Sequence, residues 1–150
     1  MDETTGREGV FHSSREIPHA PERVWAAFAR RELLERWWGP AGFTNTFETF
    51  EFTPGGHWIF TMHGPEAGHY RNESTFVELE RPSRIVIKHV CAPFYVLTVT
   101  LAPEHGGTRI DWHQVFDDPA VGERIRHIVG PANEQNLDRL EAVLSDQPVD

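Results

Sequence analysis

Ile125, Ile128, Val129, Ala132, Leu137, Leu140, Val143 and Leu144 recur at three- and four-residue spacing near the end of the chain. One apolar stripe of this kind marks a long helix that needs a broad apolar surface to cover it. The residues before it supply such a surface. "TNTFETFEF" (44–52), "HWIFTMH" (57–63), "HYRNESTFVELE" (69–80), "RIVIKHV" (84–90), "FYVLTVTLA" (94–102) and "TRIDWHQVF" (108–116) all read as strands. Turn signals separate them: Pro54-Gly55-Gly56, "GPEAG", "RPS", Ala92-Pro93 and "EHGG". Sequential strands joined by short turns pair antiparallel, and one long helix then covers one face of the sheet.

The N-terminal part completes the outline. "VFHSSREI" (10–17) reads as a first strand, and "APERVWAAFARRELLERWW" as two short helices near 21–30 and 32–38, stopped by Gly39-Pro40. Residues 1–8 read as a flexible polar tail. The expected fold is α+β: a curved antiparallel sheet of about seven strands wrapped around a long C-terminal helix, with two short helices between the first and second strands. Asp118 is the expected N-cap of the helical run, with Pro119 at its first position. Gly130-Pro131 should kink or locally break that helix, because proline deletes one backbone bond and crowds the preceding turn. A chain of 150 residues fits one domain spanning 1–150.

Charge excludes two classes of partner. Lys+Arg 14 against Asp+Glu 23 leaves a net charge of −9. A nucleic-acid binder needs clustered positive charge to displace counterions, and an anionic membrane surface attracts basic patches. No apolar run approaches spanning length, so membrane insertion is not expected. Cys91, the only cysteine, allows neither an internal disulfide nor a cysteine zinc site. With the polar, acidic start "MDETTGREG", this predicts a cytoplasmic protein.

Six segments carry a resemblance in order: "REIPHAPERVWAAF" (15–28), "LLERWWGPAGF" (33–43), "FEFTPGGHWIFTMHGP" (50–65), "ERPSRIVI" (80–87), "GGTRIDW" (106–112) and "NLDRLEAVL" (136–144). Over roughly residues 10–145 the chain resembles the bacterial activator-of-heat-shock-protein-ATPase homologue family. That family consists of START-like, helix-grip domains of the SRPBCC superfamily. The resemblance implies a deep cavity between sheet and C-terminal helix. Many relatives carry a Gly-Trp pair near the start of the last helical run, where this chain has Ala132-Asn133. A missing bulky plug would enlarge or polarise the cavity.

The candidate cavity residues follow from the sheet alternation and from the aromatics around Gly39-Pro40: Trp38, Phe43, Trp58, Phe60, Met62, Phe76, Trp112 and Val129. His89, Gln114 and Asn133 (or Asn136) interrupt otherwise apolar faces. A buried polar group is costly unless hydrogen-bonded, so these must face solvent, satisfy one another or orient a ligand. Trp37 reads as core. His63, Glu66 and His69 could meet across their hairpin loop, but no HxH or HExxH spacing supports a metal site, and neither metal nor cofactor is expected. Glu51 reads as structural, pairing with Arg36 or bonding the turn backbone.

Three functions fit. The first is binding of a small hydrophobic or aromatic molecule in the cavity, without covalent chemistry. The second is a cyclase- or dehydratase-type enzyme with an acid–base residue such as His89, His113 or Glu78. The third is an interaction module of the kind the family name suggests. A homodimer is compatible with each.

Overall fold

The computed structural model describes residues 8–146, so nearly all of the expected 1–8 tail lies outside the described residues. The elements run β1 (Val10–Ile17), α1 (Pro21–Ala29), α2 (Arg31–Trp37), β2 (Thr44–Phe50), β3 (His57–His63), β4 (His69–Glu80), β5 (Arg84–His89), β6 (Tyr95–Glu104), β7 (Gly107–Phe116), α3 (Pro119–Arg124) and α4 (Arg126–Asp146). The seven strands form one antiparallel sheet in the order β1-β7-β6-β5-β4-β3-β2. The fold is the expected α+β helix-grip.

Strands β1 and β2 lie at opposite edges, so the chain must cross the sheet between them, and α1 and α2 make that crossing. Pro21 starts α1 and Glu22 lies in its first turn, where a carboxylate faces the positive helix end. Val24, Trp25, Ala27 and Phe28 form its buried face. Trp37 closes α2 by donating its indole N–H to Ala27 O at 2.9 Å, and it packs edge-on to Phe28. It is fully buried core, as its sequence position predicts.

From β3 to β7 the strands are joined by tight turns. His105 and Gly106 both have positive φ between Glu104 and Gly107, the two-residue geometry that matches strand twist. Register shifts at Phe47/Thr49 and Phe76/Glu78 are bulges, which bend a sheet toward its covered face.

The C-terminal helical run differs from expectation in one respect. Asp118 caps α3 by accepting the Ala120 N–H, with Pro119 at the first position. The interruption then falls at Ile125, and α4 runs unbroken through Pro131. The cause is contact. A Cβ on Gly122 would come within 2.7 Å of Gly9 Cα and 3.1 Å of Phe116, so α3 is pinned against the end of β7 and the chain must turn to reach the sheet. Pro131 is exposed, as is His127, whose carbonyl loses its helical partner and can bond water instead.

Helix α4 buries Leu137, Leu140, Val143 and Leu144 over the sheet. Polar ties hold its flanks. Arg15 on β1 reaches Asp138 at 2.6 Å and Glu134 at 3.0 Å, and Ser13 donates to Glu134.

Candidate functional site

The apolar stripe of α4 does not begin apolar. Its first two buried positions are Asn133 and Asn136, and only then do Leu137 and Leu140 fill the space over the sheet. At the amide end a cavity of about 120 Å³ remains. The sheet contributes Met62, Asn72, Tyr95, Leu97, Trp112 and Gln114 to its wall. The chain after α2 contributes Trp38, Gly39 and Pro40, and α4 contributes Ala132, Asn133 and Asn136.

Strand register assembles the sheet side. Leu97 and Gln114 are direct neighbours across β6 and β7, while Tyr95 and Trp112 lie two residues away on the same face. Trp38 closes the roof, its ring 5.7 Å from that of Trp112 at 34°. Gly39 sits at φ +96, a conformation that favours glycine, and Met62 Cε packs against its Cα face, 2.6 Å from where a Cβ would stand.

The buried amides satisfy one another in part. Asn133 Nδ2 donates to Gln114 Oε1 at 3.0 Å, and Asn136 Oδ1 accepts the Gly39 N–H at 3.2 Å. Asn72 Nδ2 lies 3.0 Å from Tyr70 O, and the other end of the Asn72 amide meets His89 Nε2 at 2.7 Å. The Tyr95 hydroxyl and the buried Trp112 indole N–H have no partner among the described residues.

Arg139 on α4 ties the roof down. Its two terminal nitrogens donate to the carbonyls of Arg36, Trp38, Gly39, Pro40 and Phe43 at 2.9–3.2 Å. Burial lowers the Arg139 pKa from the ordinary arginine value. Asn45 adds a bond to Trp38 O at 2.9 Å.

Of the residues expected from sequence, Trp38, Met62, Trp112, Gln114 and Asn133 stand together on the cavity wall. Trp58, Phe60 and Phe76 do not. Trp58 stacks between them, with ring centroids 4.3 Å and 5.7 Å away, in solid core. Phe43 packs outside the wall against Gly64 and Tyr70. Val129 is half-buried one turn before Asn133 and is not on the wall. His89 lies one layer behind. It bonds Pro93 O at 2.7 Å and Asn72, and stacks on Tyr95 at 4.6 Å and 14°. Sequence reasoning missed Asn72, Tyr95 and Leu97. Alternation on β6 places Tyr95 and Leu97 on the covered face, but nothing local separates lining from core.

The other singled-out residues have ordinary partners. Glu51 accepts the His57 N–H at 3.0 Å, and Arg36 pairs with Asp146 instead. Glu78 pairs with Arg84. His63 and His69 do meet, Nδ1 to Nδ1 at 2.7 Å. Glu16, Glu104 and His105 bring one ligand atom each within 4.8 Å of one another at the exposed β6–β7 hairpin, where His105 pairs with Glu16. Further depressions lie among the described residues, including a shallow one of about 350 Å³ along Asp138 and Ser145. One of about 190 Å³, between β1 and the start of α4, shares Asn133 with the central cavity. One of about 410 Å³ lies around Phe94 and Val121 on the surface.

Tyr95 is the one titratable side chain on the cavity wall. Burial, then the charge of Cys91, pushes its phenol well above the usual value, so it stays neutral across physiological pH. Burial also holds His89 below the ordinary histidine pKa, against the pull of the Pro93 and Cys91 backbone. His19 is lowered as well, by burial and by Arg23. A histidine with a depressed folded pKa binds its proton more readily when unfolded. Stability is therefore complete above the unfolded value of about 6.5 and declines as pH falls toward the folded value. Urea unfolding is expected to show lower stability at pH 5.5 than at 7.5, by at most about 1.4 kcal/mol per pH unit per histidine. His89→Gln should flatten the decline. An unchanged pH dependence in His89→Gln would refute a neutral, buried His89, since His105, raised by Glu16, contributes with the opposite sign in both proteins.

The family model described as Activator of Hsp90 ATPase homolog 1-like protein matches residues 18–145. Among solved structures, a protein from Arthrobacter aurescens is similar at a TM-score of 0.86 and 25% identity, over 98% of this chain and 91% of that one. A protein from Nitrosomonas europaea is similar at 0.84 and 19%, over 93% and 96%. An AHSA1-like protein from Aeromonas hydrophila is similar at 0.75 and 19%, over 91% and 92%. The last two bear on fold alone. No curated protein matches.

Proposed function

The chain belongs to the Activator of Hsp90 ATPase homolog 1-like family, and from that premise we propose that it binds a small aromatic molecule in the cavity under α4, without covalent chemistry. One observation carries the reading. Trp38, Tyr95 and Trp112 wall a space that the helix leaves open because its stripe begins with amides instead of large apolar side chains. Aromatic walls give large, rigid contact area to a planar ring. The wall holds no group that titrates near neutrality, which favours binding over acid–base chemistry. The reading takes the chain as a single START-like domain acting in a cytoplasm.

Benzene is a suitable first probe, followed through tryptophan fluorescence and the indole N–H resonances of Trp38 and Trp112. Saturable shifts at both indoles are expected. Asn133→Trp, which restores the bulky residue that the resemblance places here, is expected to reduce binding at least tenfold by filling the space. Unchanged indole signals up to the solubility limit of benzene would overturn the reading.

A further inference from the structure

The hydrogen-bonding groups left over in the cavity define a ligand more closely than its size does. We propose, building on the binding reading above, that the cavity takes a neutral, single-ring cyclic amide, a planar heterocycle with an N–H beside a C=O.

Three observations lead there. The first is the pairing of the amides. Gln114, Asn133 and Asn136 are 6%, 8% and 6% exposed, and each uses only one end of its amide. In the Gln114–Asn133 pair one amide donates and the other accepts. Whichever way round the two amides stand, one donor and one acceptor are left over. The spare donor and acceptor belong to two hydrogen-bonded side chains that both line the cavity. Asn136 cannot be reversed, since its oxygen receives the Gly39 N–H, so its NH₂ is a further spare donor. None of these spare atoms is among the fully enclosed, unpartnered polar atoms, so they border open space. A cyclic amide offers the complementary set: a carbonyl for the donors and an N–H for the acceptor.

The second observation is charge. No acidic or basic side chain lines the cavity, and the terminal nitrogens of Arg139 are committed to backbone carbonyls. A charged ligand would be buried without a counterion, which is strongly unfavourable. The third is size and shape. An apolar void of about 150 Å³ admits benzene, and this cavity of about 120 Å³ is on the scale of a single ring.

The test compares 2-pyridone, 1-methyl-2-pyridone and benzene on the intact protein, by calorimetry and by the two indole resonances. 2-Pyridone is expected to bind at least tenfold tighter than either of the others. Its N-methyl derivative keeps the ring and carbonyl but loses the donor, and a site left with an unpaired buried acceptor rejects such an analogue. Gln114→Met should abolish this preference while benzene still binds. If benzene or the N-methyl compound binds as tightly as 2-pyridone, the cyclic-amide assignment fails and the cavity-binding reading stands. If none of the three binds, both fail. Should Gln114→Met not fold, the wild-type comparison decides alone.

Discussion

Gly56→Ala is expected to cost about 4 kcal/mol or more, among the largest effects available to a single substitution. A Cβ at this position would lie 2.0 Å from Glu51 O and 2.9 Å from Thr53 O. Both neighbours are backbone and cannot swing aside. The turn they belong to is knotted by hydrogen bonds: Glu51 N–H to His57 O, Gly56 N–H to Thr53 O, and Phe76 N–H to Gly56 O, at 2.8–2.9 Å. Opening it would release β2, β3 and β4 together, along with Trp58 and Phe76 stacked above. Gly55 is the control. Its φ of +83 disfavours a side chain, but a Cβ there meets nothing within 4 Å. Gly55→Ala should therefore cost only about 1–2 kcal/mol. Thermal unfolding separates the two, since about 4 kcal/mol corresponds to a drop of roughly 8–16 °C at this chain length. Equal losses would show that conformation, not collision, sets the requirement.

Arg139→Met is expected to cost about 3 kcal/mol and to weaken ligand binding as well. The guanidinium satisfies five carbonyls where α2 ends and the chain turns back to the sheet. Helix ends leave carbonyls without partners, and hydrogen bonds to a charged donor are stronger than neutral ones. Methionine fills much of the volume and satisfies none of them. Trp38, Gly39 and Pro40, which form the cavity roof, then keep only the Asn136 bond to Gly39 N–H as a polar tie to α4. Arg139→Lys should be intermediate, because a single ammonium cannot span carbonyls that a planar fork reaches from two nitrogens. Urea unfolding measures the first effect and the benzene titration the second. Full stability with weakened binding would make Arg139 a determinant of the cavity alone. Full stability with normal binding would remove it from both roles.

The strands were legible because their signals are local. Alternation fixed which side of β3, β6 and β7 is covered, and Pro54-Gly55-Gly56 and Glu104–Gly107 marked reversals that the structure contains. The helix interruption was misplaced for the converse reason. Pro131 carries the strongest local breaking signal, yet the break at Ile125 follows from Gly122 meeting Gly9 and Phe116 across the fold. Neighbours along the chain could not announce that contact.

The cavity divides the same way. Trp58 and Trp112 occupy like positions on covered strand faces, and sequence reasoning treats them alike. One is stacked into solid core and the other walls an opening, because Asn133 and Asn136 stand over β6 and β7 while the leucines follow further along the helix. The sequence by itself determined the layers and the strand directions, since these depend on periodicity and turn chemistry. Only the tertiary structure decided which covered residues line a space and which amides keep a free valence. Those properties depend on how far apart two layers stand at one point, and that distance is set by side chains remote from each other in the chain.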